Sequence, residues 1–299
     1  MIVRPKPNLI GVLTSLKGSI AKRIARRSLM VTLLASAIVL IETLHPMYFS
    51  KVSATPFTLL GLSLSIVMCF RNNACYDRRY EARKVWGDVI VATRSMIRET
   101  LVIKDTAQRH PILSNLCGFA HALNARLRQE NELAASGDWL QPMPRNDTTD
   151  ISGQILLQVG QQCSALNESG AINDWRYTLM ANHLTSLTHA QAVCERIKNT
   201  PLPFPYTLLL HRTIYLFCIL LPFAMAEPLG WLTPVFTAIV SYTFFGLDAI
   251  ADELEDPFGR DENDLPTDAI VRNIERDVLA AMGATELPPQ LEPVEFVLS

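Results

Sequence analysis

The chain has 299 residues, of which 49% are hydrophobic and 19% are charged. Its mean hydropathy of +0.17 is too high for an ordinary soluble domain and too low for a transporter built almost entirely of membrane spans. The net charge of −2 gives no electrostatic reason to expect a nucleic-acid partner, and no nucleic-acid-binding motif occurs. These values favour a protein that lies partly in a membrane and partly in water.

The N-terminal region predicts a membrane hairpin. A basic segment, residues 1–27, precedes any apolar run. Residues 28–49 can cross about 30 Å of hydrocarbon at about 1.5 Å per helical residue, and the apolar residues 55–70 follow after a short link. We therefore predict a first transmembrane hairpin at 28–70. The alternative is a buried core in a soluble bundle, and it fits 55–70 best because that segment is short.

The middle of the chain, residues 71–205, predicts a cytoplasmic helical domain. The helix that begins in 55–70 should continue to about residue 104, with a break near His110 and Pro111 because proline disfavours helix at the preceding residue. Further helices are predicted at 112–135, 154–168 and 173–199, and residues 136–153 are polar and proline-bearing, which is typical of a loop.

The last third of the chain predicts a second transmembrane hairpin at 206–251, formed by the apolar runs 206–226 and 229–251. Residues 252–299 then predict a cytoplasmic acidic turn, a helix at about 268–282 with Thr267 as its N-cap, and a proline-rich tail that need not fold alone. No useful strand-period alternation occurs. The sequence therefore predicts an all-α membrane protein with four membrane helices.

The distribution of basic residues predicts the orientation. They are dense before the first span and after the second, whereas the link 50–54 contains only Lys51 and the link 226–229 contains none. By the positive-inside rule, both termini and the middle domain face the cytoplasm. The basic residues are Arg4, Lys6, Lys17, Lys22, Arg23, Arg26, Arg27, Arg71, Arg78, Arg79, Arg83 and Lys84.

Three separated motifs, FRNNACYDRRYEARKVWG, PLPFPYTLLLHRTIYLF and ELEDPFGRDENDLP, resemble the bacterial branch of the bestrophin family of ion channels. The resemblance covers nearly the whole chain in the same order. It implies a homopentamer in the bacterial inner membrane, with one central pore and a cytoplasmic helical bundle on each subunit. The implied partners are other copies of the chain, the lipid bilayer and permeating monovalent ions. No cofactor is implied.

The resemblance also implies where the pore is narrow. Leu62, Ile66 and Phe70 are spaced i, i+4 and i+8 on one helix face, and they match the apolar neck of the family. A narrow apolar ring resists wetting and can act as a gate. Ordinary helix packing or lipid contact is the alternative. A second, cytoplasmic constriction of the family matches Met180 best, although a methionine often only fills a core.

Glu42, His211 and Arg212 are ionisable residues that lie within or at the edges of the predicted spans. Such residues are costly in a membrane and often functional. We expect Arg212 near the cytoplasmic interface, snorkelling or paired with Asp248 or Asp252, and Glu42 near the outer end. The alternative makes them groups of the pore or vestibule.

The acidic turn offers oxygen ligands of the kind that calcium prefers, from Asp256, Asp261, Glu262 and Asp264. In the family that the chain resembles, the eukaryotic members bind calcium at the corresponding place, shortly after their last span. This sequence departs from that site, since Arg260 and Asn263 interrupt the acids, and it does not fit an EF-hand. The metal content is therefore left open, and a solvated turn is the alternative.

No spacing typical of catalysis occurs, such as G-x-S-x-G, a P-loop or H-E-x-x-H, so we do not expect an enzyme. We predict a channel that passes small monovalent ions, with a preference for the cations sodium and potassium taken from the family branch and the acidic turn. The alternatives are an anion (chloride) channel of the same architecture, a non-conducting membrane-anchored scaffold, and a soluble helical bundle.

Overall fold

The computed structural model describes residues 1–4, 8, 18–45, 53–140 and 150–299. Lys6, Lys17 and Lys51, which entered the orientation argument, lie outside the described residues, as do residues 141–149 of the predicted loop 136–153. The regular secondary structure of the described residues is helical, and two isolated antiparallel bridges accompany it. The prediction of an all-α chain is confirmed for this part.

The helices run in chain order as α1 (Ala21–Leu44), α2 (Thr55–Glu99), α3 (Thr106–Leu127), α4 (Glu132–Ser136), α5 (Ile151–Glu168), α6 (Asp174–Asn199), α7 (Phe204–Leu229), α8 (Thr233–Glu255) and α9 (Thr267–Ala281). Short 3₁₀ turns follow α2, α4 and α7 at Thr100–Val102, Gly137–Trp139 and Gly230–Leu232.

The chain divides into two compact units. We call Arg4–Arg79 together with Pro201–Asp256 the apolar unit, and Met1–Val3, Tyr80–Thr200 and Pro257–Ser299 the polar unit. Helix α2 contributes its first part to the apolar unit and its second part to the polar unit.

The apolar unit contains α1, the first part of α2, α7 and α8. Helix α1 packs against α7 and α8, and α7 packs against α8. Gly61 lets α2 approach α7 closely, because a Cβ atom at this position would lie 3.1 Å from the Phe217 ring. Small residues are typical of membrane-helix contacts, where there is no hydrophobic drive between helices. The core of the unit is formed by Ile24, Val31, Leu64, Met68, Leu210, Ile214, Phe217, Cys218, Leu221, Phe245 and Ala249.

Gly230 follows the last residue of α7 and is the first residue of the 3₁₀ turn that leads into α8. Its φ of +50° is in the region that strongly favours glycine, so the chain can end α7 and reverse within a few residues. Pro234 then lies in the first turn of α8, where a missing N–H has no cost. The tight link predicted between the last two apolar runs is found in this form.

Two stretches of the described chain are long and apolar enough to cross a membrane: Ala21–Leu44, and Phe204–Glu255, which comprises α7 and α8. Only 28% and 33% of their most apolar windows are buried inside the chain. Helix α2 does not qualify, because its apolar part ends at Arg71. The predicted span at residues 55–70, the second of the four, therefore stays a prediction.

The predicted break near His110 and Pro111 is wrong by several residues. The chain leaves α2 through the turn Thr100–Val102, and α3 begins at Thr106 with Asp105 as its N-cap, whose Oδ1 accepts a hydrogen bond from the Ala107 amide at 2.9 Å. Pro111 lies inside α3. Pro111 has no N–H to donate to the Ala107 carbonyl, but the helix continues past it to Leu127.

The polar unit encloses one large hydrophobic core. Its largest fully buried side chains include Trp86, Met96, Phe119 and Phe258. Side chains of Asn131, Asp150 and Asn173 cap the N-termini of α4, α5 and α6 and supply acceptors for otherwise unpaired amides. The C-terminal tail is ordered against this unit: the Val3 amide donates to the Phe296 carbonyl at 2.8 Å.

Candidate pore-lining site

The predicted neck residues form an exposed apolar strip on α2. Leu62, Ile66 and Phe70 have 61%, 51% and 66% of their surface exposed. On the opposite face of the same helix, Leu64 and Met68 are buried in the apolar unit. Within the part of the chain that the structure describes, the strip therefore does not pack into a core, and its apolar surface is available to lipid, solvent or other copies of the chain.

Arg71, the residue after the strip, is buried and holds α2 to α8. Its Nη1 donates to Asp248 Oδ1 at 2.7 Å and its Nη2 donates to Asp252 Oδ1 at 2.6 Å. The Arg71 and Asp248 side chains are only 2% and 1% exposed. Glu255 lies further out, with its carboxylate 3.8 Å from Arg71 Nη2. We call Arg71, Asp248 and Asp252, together with His211, the charge cluster.

His211 brings α7 into the charge cluster. Its Nδ1 lies 2.7 Å from Asp248 Oδ2, and its Nε2 lies 3.9 Å from Asp252 Oδ1. The predicted pairing of Arg212 with these aspartates is wrong: Arg212 is exposed, and Arg71 occupies the place instead. Glu42, which was expected near the outer end of its span, is buried in α1.

The charge cluster could in principle hold a metal ion. One ligand atom from each of His211, Asp248 and Asp252 lies within 4.8 Å of the others. However, the Arg71 guanidinium already binds both carboxylates, so their charge is compensated without a metal and a cation would have to compete with Arg71. The arrangement is therefore best explained as an internal ion-pair network.

The geometry of the charge cluster has a mechanical consequence. Buried ions tolerate displacement poorly, because separating them leaves an unpaired charge in a medium of low polarity. Since Arg71 directly follows Phe70, the cluster fixes the rotation and axial position of α2 where the strip ends. Tyr206 adds a further restraint by donating to the Val67 carbonyl at 3.1 Å.

Met180 does not have the surface that its predicted role requires. The side chain is completely buried in the core of the polar unit. This burial does not favour a position at a constriction, and the role of Met180 stays a prediction. Trp175 is the large apolar side chain on the same helix that is exposed, at 73%. It lies in the first turn of α6, next to the N-cap Asn173.

The acidic turn is folded by its own hydrogen bonds. Asp264 is buried, and its Oδ2 accepts from the Asp261 amide at 2.7 Å. The Leu265 amide donates to the Pro257 carbonyl at 3.0 Å. Among the residues that the structure describes, Asp256, Asp261, Glu262 and Asp264 do not belong to a three-ligand group, so the suggested calcium ligands stay a prediction.

The role of Arg71 in the charge cluster was not predicted. From the sequence, this arginine counted only as part of the positive charge that sets the orientation. A signal was present, because Leu64, Met68, Arg71 and Cys75 repeat at spacings of three and four residues and all are buried. An arginine in an apolar stripe indicates a buried ion pair, but its partners lie 177 and 181 residues away in the sequence.

Comparison with known proteins agrees with this architecture. A family model described as "Bacterial/Fungal Bestrophin protein" matches residues 1–280. The voltage-dependent anion channel-forming protein mll4386 of Mesorhizobium japonicum is 37% identical over 99% of this chain and 96% of its own length. The voltage-dependent anion channel-forming protein YneE of Salmonella typhi is 38% identical over 98% of each chain.

Solved structures show the same fold. The crystal structure of a bacterial bestrophin homologue from Klebsiella pneumoniae superposes with a TM-score of 0.82 at 36% identity, covering 88% of this chain and all of that chain. The resemblance stated from the three motifs is confirmed by a family match over most of the chain and by relatives that cover almost all of it. The chain belongs to the bacterial bestrophin family.

Proposed function

We propose that copies of this chain assemble into an ion channel in a bacterial inner membrane, with α2 from each copy around a shared axis. The single observation that carries the proposal is the exposed strip of Leu62, Ile66 and Phe70, which its own chain leaves uncovered while burying the opposite face of α2. In a symmetric assembly each residue becomes one apolar ring of a neck that resists wetting.

The same proposal includes the membrane topology. Helices α1, α7 and α8 carry extended exposed apolar surface, which lipid or neighbouring copies would cover. Lys22, Arg23, Arg26 and Arg27 at the start of α1, together with the basic residues after Phe70, support cytoplasmic termini. Five copies are the number implied by the family resemblance.

The preference for cations in the sequence analysis is not supported by the relatives, which are named as anion channel-forming proteins. An apolar neck carries no charge and selects weakly by sign, so the strip itself favours neither cations nor anions. We therefore propose that the channel conducts small monovalent anions, chloride among them.

A second constriction, if α6 supplies one, would involve Trp175. A ring around a pore needs side chains with accessible surface, and Trp175 meets this condition whereas Met180 does not. Trp175→Ala would then raise the current, and Met180→Ala would act only through the stability of the core.

The test is current through purified protein in planar bilayers. Phe70→Ala and Ile66→Ala should pass more current than the wild-type protein, because truncating the narrowest rings widens and wets the neck. Leu33→Ala removes an apolar side chain that is 60% exposed on α1 and serves as the matched control with unchanged current.

Two results would contradict the proposal. A wild-type protein that is folded and incorporated in the bilayer yet carries no current would favour the membrane-anchored scaffold. Currents that do not respond to Phe70→Ala or Ile66→Ala would place the conduction path elsewhere. Reversal potentials in asymmetric NaCl decide the sign of the ion, and a shift toward the sodium equilibrium potential would overturn the anion assignment.

A further inference from the structure

The exposed face of α2 continues past the neck strip to a carboxylate. Asp77 lies seven residues after Phe70, which is two helical turns or about 10 Å along the helix and within about 20° of the same direction. Asn73 lies between them, and both Asn73 and Asp77 are exposed. Among the described residues, no hydrogen bond or ion pair engages the Asp77 carboxylate.

The nearby basic side chains do not share this face. Arg71 is buried in the charge cluster on the opposite side of α2. Arg78 is only half-buried, and its Nε donates to the Glu255 carbonyl at 3.2 Å, toward the end of α8. Asp77 is therefore the first charged group on the strip side of α2 after Phe70, although the sequence around it is predominantly basic.

We propose that Asp77 is a selectivity-determining residue of the channel, forming a ring of negative charge at the cytoplasmic exit of the neck. This inference depends on the proposed function, since only a shared axis brings the copies of Asp77 together. Charged rings beside a narrow path raise the local concentration of counter-ions and lower that of co-ions. The ring acts against anions, so replacing Asp77 with a neutral residue should shift the preference of the channel toward anions.

A charged ring close to an apolar neck can influence which ions pass, although the neck itself carries no charge. The Debye length at physiological ionic strength is about 8 Å, so a ring within about 10 Å of Phe70 still acts on an ion that enters or leaves the neck. Several charges around one axis act on the same ion together, and their effects on its local concentration multiply.

The experiment measures reversal potentials of the full-length channel in planar bilayers under asymmetric KCl. Asp77→Asn should raise the chloride-to-potassium permeability ratio by about threefold or more, and Asp77→Lys should raise it further. The difference between Asp77→Asn and wild type should shrink in about 1 M salt, where the Debye length is about 3 Å. The matched control is Glu286→Gln, which removes one exposed negative charge from the C-terminal tail and should leave the ratio unchanged.

Three outcomes would overturn the inference. If Asp77→Asn and Asp77→Lys conduct with the wild-type ratio, Asp77 does not face the ion path, although the channel itself stands. If Asp77→Asn dissociates the assembly in size-exclusion chromatography while Glu286→Gln does not, Asp77 is a contact between copies. If the wild-type protein carries no current, the proposed function fails and the Asp77 ring fails with it.

Discussion

The apolar unit leaves much of its hydrophobic surface uncovered, whereas the polar unit encloses its own. Large apolar side chains are exposed along α1, α7 and α8, while the polar unit gathers Trp86, Phe119 and Phe258 into one core without accessible surface. Extended exposed apolar surface in a folded chain indicates a lipid or subunit contact. The apolar unit therefore needs lipid or other copies of the chain to cover its apolar surface, whereas the polar unit buries its large apolar side chains by itself.

The two units also differ in how exposed their ion pairs are. The polar unit spreads ion pairs over its surface, such as Arg94 with Asp277 and Arg196 with Glu81. The apolar unit concentrates buried charges in the cluster around Arg71, directly after the neck strip. Exposed pairs contribute about 0–1 kcal/mol each, whereas breaking a buried pair costs several kcal/mol.

The largest effect is therefore expected in the charge cluster. Arg71→Met should lower the free energy of unfolding by about 3–5 kcal/mol, because Asp248 would stay buried without its main partner. This loss of stability is measured as a decrease in the unfolding temperature of the purified protein in detergent. Arg212→Met removes an exposed arginine from the neighbouring helix α7 and should have little effect. Equal unfolding temperatures for Arg71→Met and wild type would show that the cluster does not hold the unit together.

A pair of lysine substitutions tests the contrast in exposed surface. Leu33 in α1 and Leu101 after α2 are 60% and 64% exposed, but they belong to different units. Leu33→Lys should impair membrane insertion, since a lysine at the centre of a span costs about 2.5–3.5 kcal/mol on insertion scales. Leu101→Lys should be neutral. The measurement is the amount of protein in carbonate-washed membranes. Equal amounts of both variants would contradict the expectation that the exposed surface of α1 lies in lipid.

The smallest effect concerns acid sensitivity of the polar unit. Burial raises the pKa of Asp268, but the Arg128 guanidinium and the Asn124 amide, whose Nδ2 donates at 2.7 Å, outweigh it, and the net pKa is lowered. A lowered folded-state pKa means that stability is present above the unfolded value of about 3.9 and is lost as pH falls through the folded pKa.

Asp268→Asn should therefore destabilise the protein at pH 7 by about 1–3 kcal/mol and reduce the loss of stability below about pH 4. The measurement is denaturant unfolding at a series of pH values. Glu292→Gln in the exposed tail is the control. If Asp268→Asn and wild type lose stability in parallel from pH 5 to pH 3, the ion pair with Arg128 does not contribute.

Local patterns predicted most of the helices. The predicted segments 154–168, 173–199 and 268–282 differ by at most three residues at either end from Ile151–Glu168, Asp174–Asn199 and Thr267–Ala281. Asp150 and Asn173 cap the first two, and such capping residues are readable in a sequence. The start of α3 was missed because a proline in an early helical turn and a proline that breaks a helix look alike in the sequence.

The site was predicted less completely than the fold. The three residues that match the neck of the family are exposed on one face of α2, and their role in a pore stays a prediction. The register at Met180 is the weakest part of the prediction, because one step along a helix turns a side chain by about 100°. The partners of Arg71 and the isolation of Asp77 depend on contacts between distant segments, which local patterns do not report.

The central claim is that the strip of Leu62, Ile66 and Phe70 faces the ion path, and modification of a cysteine at position 70 tests it most directly. Cys69 is exposed and the other five cysteines are buried, so Phe70→Cys is made in a Cys69→Ser background. A charged methanethiosulfonate reagent applied from the cytoplasmic side should sharply reduce the current of Phe70→Cys and leave Cys69→Ser alone unchanged. If mass spectrometry shows complete modification of the new cysteine while the current stays the same, the strip does not line the pore.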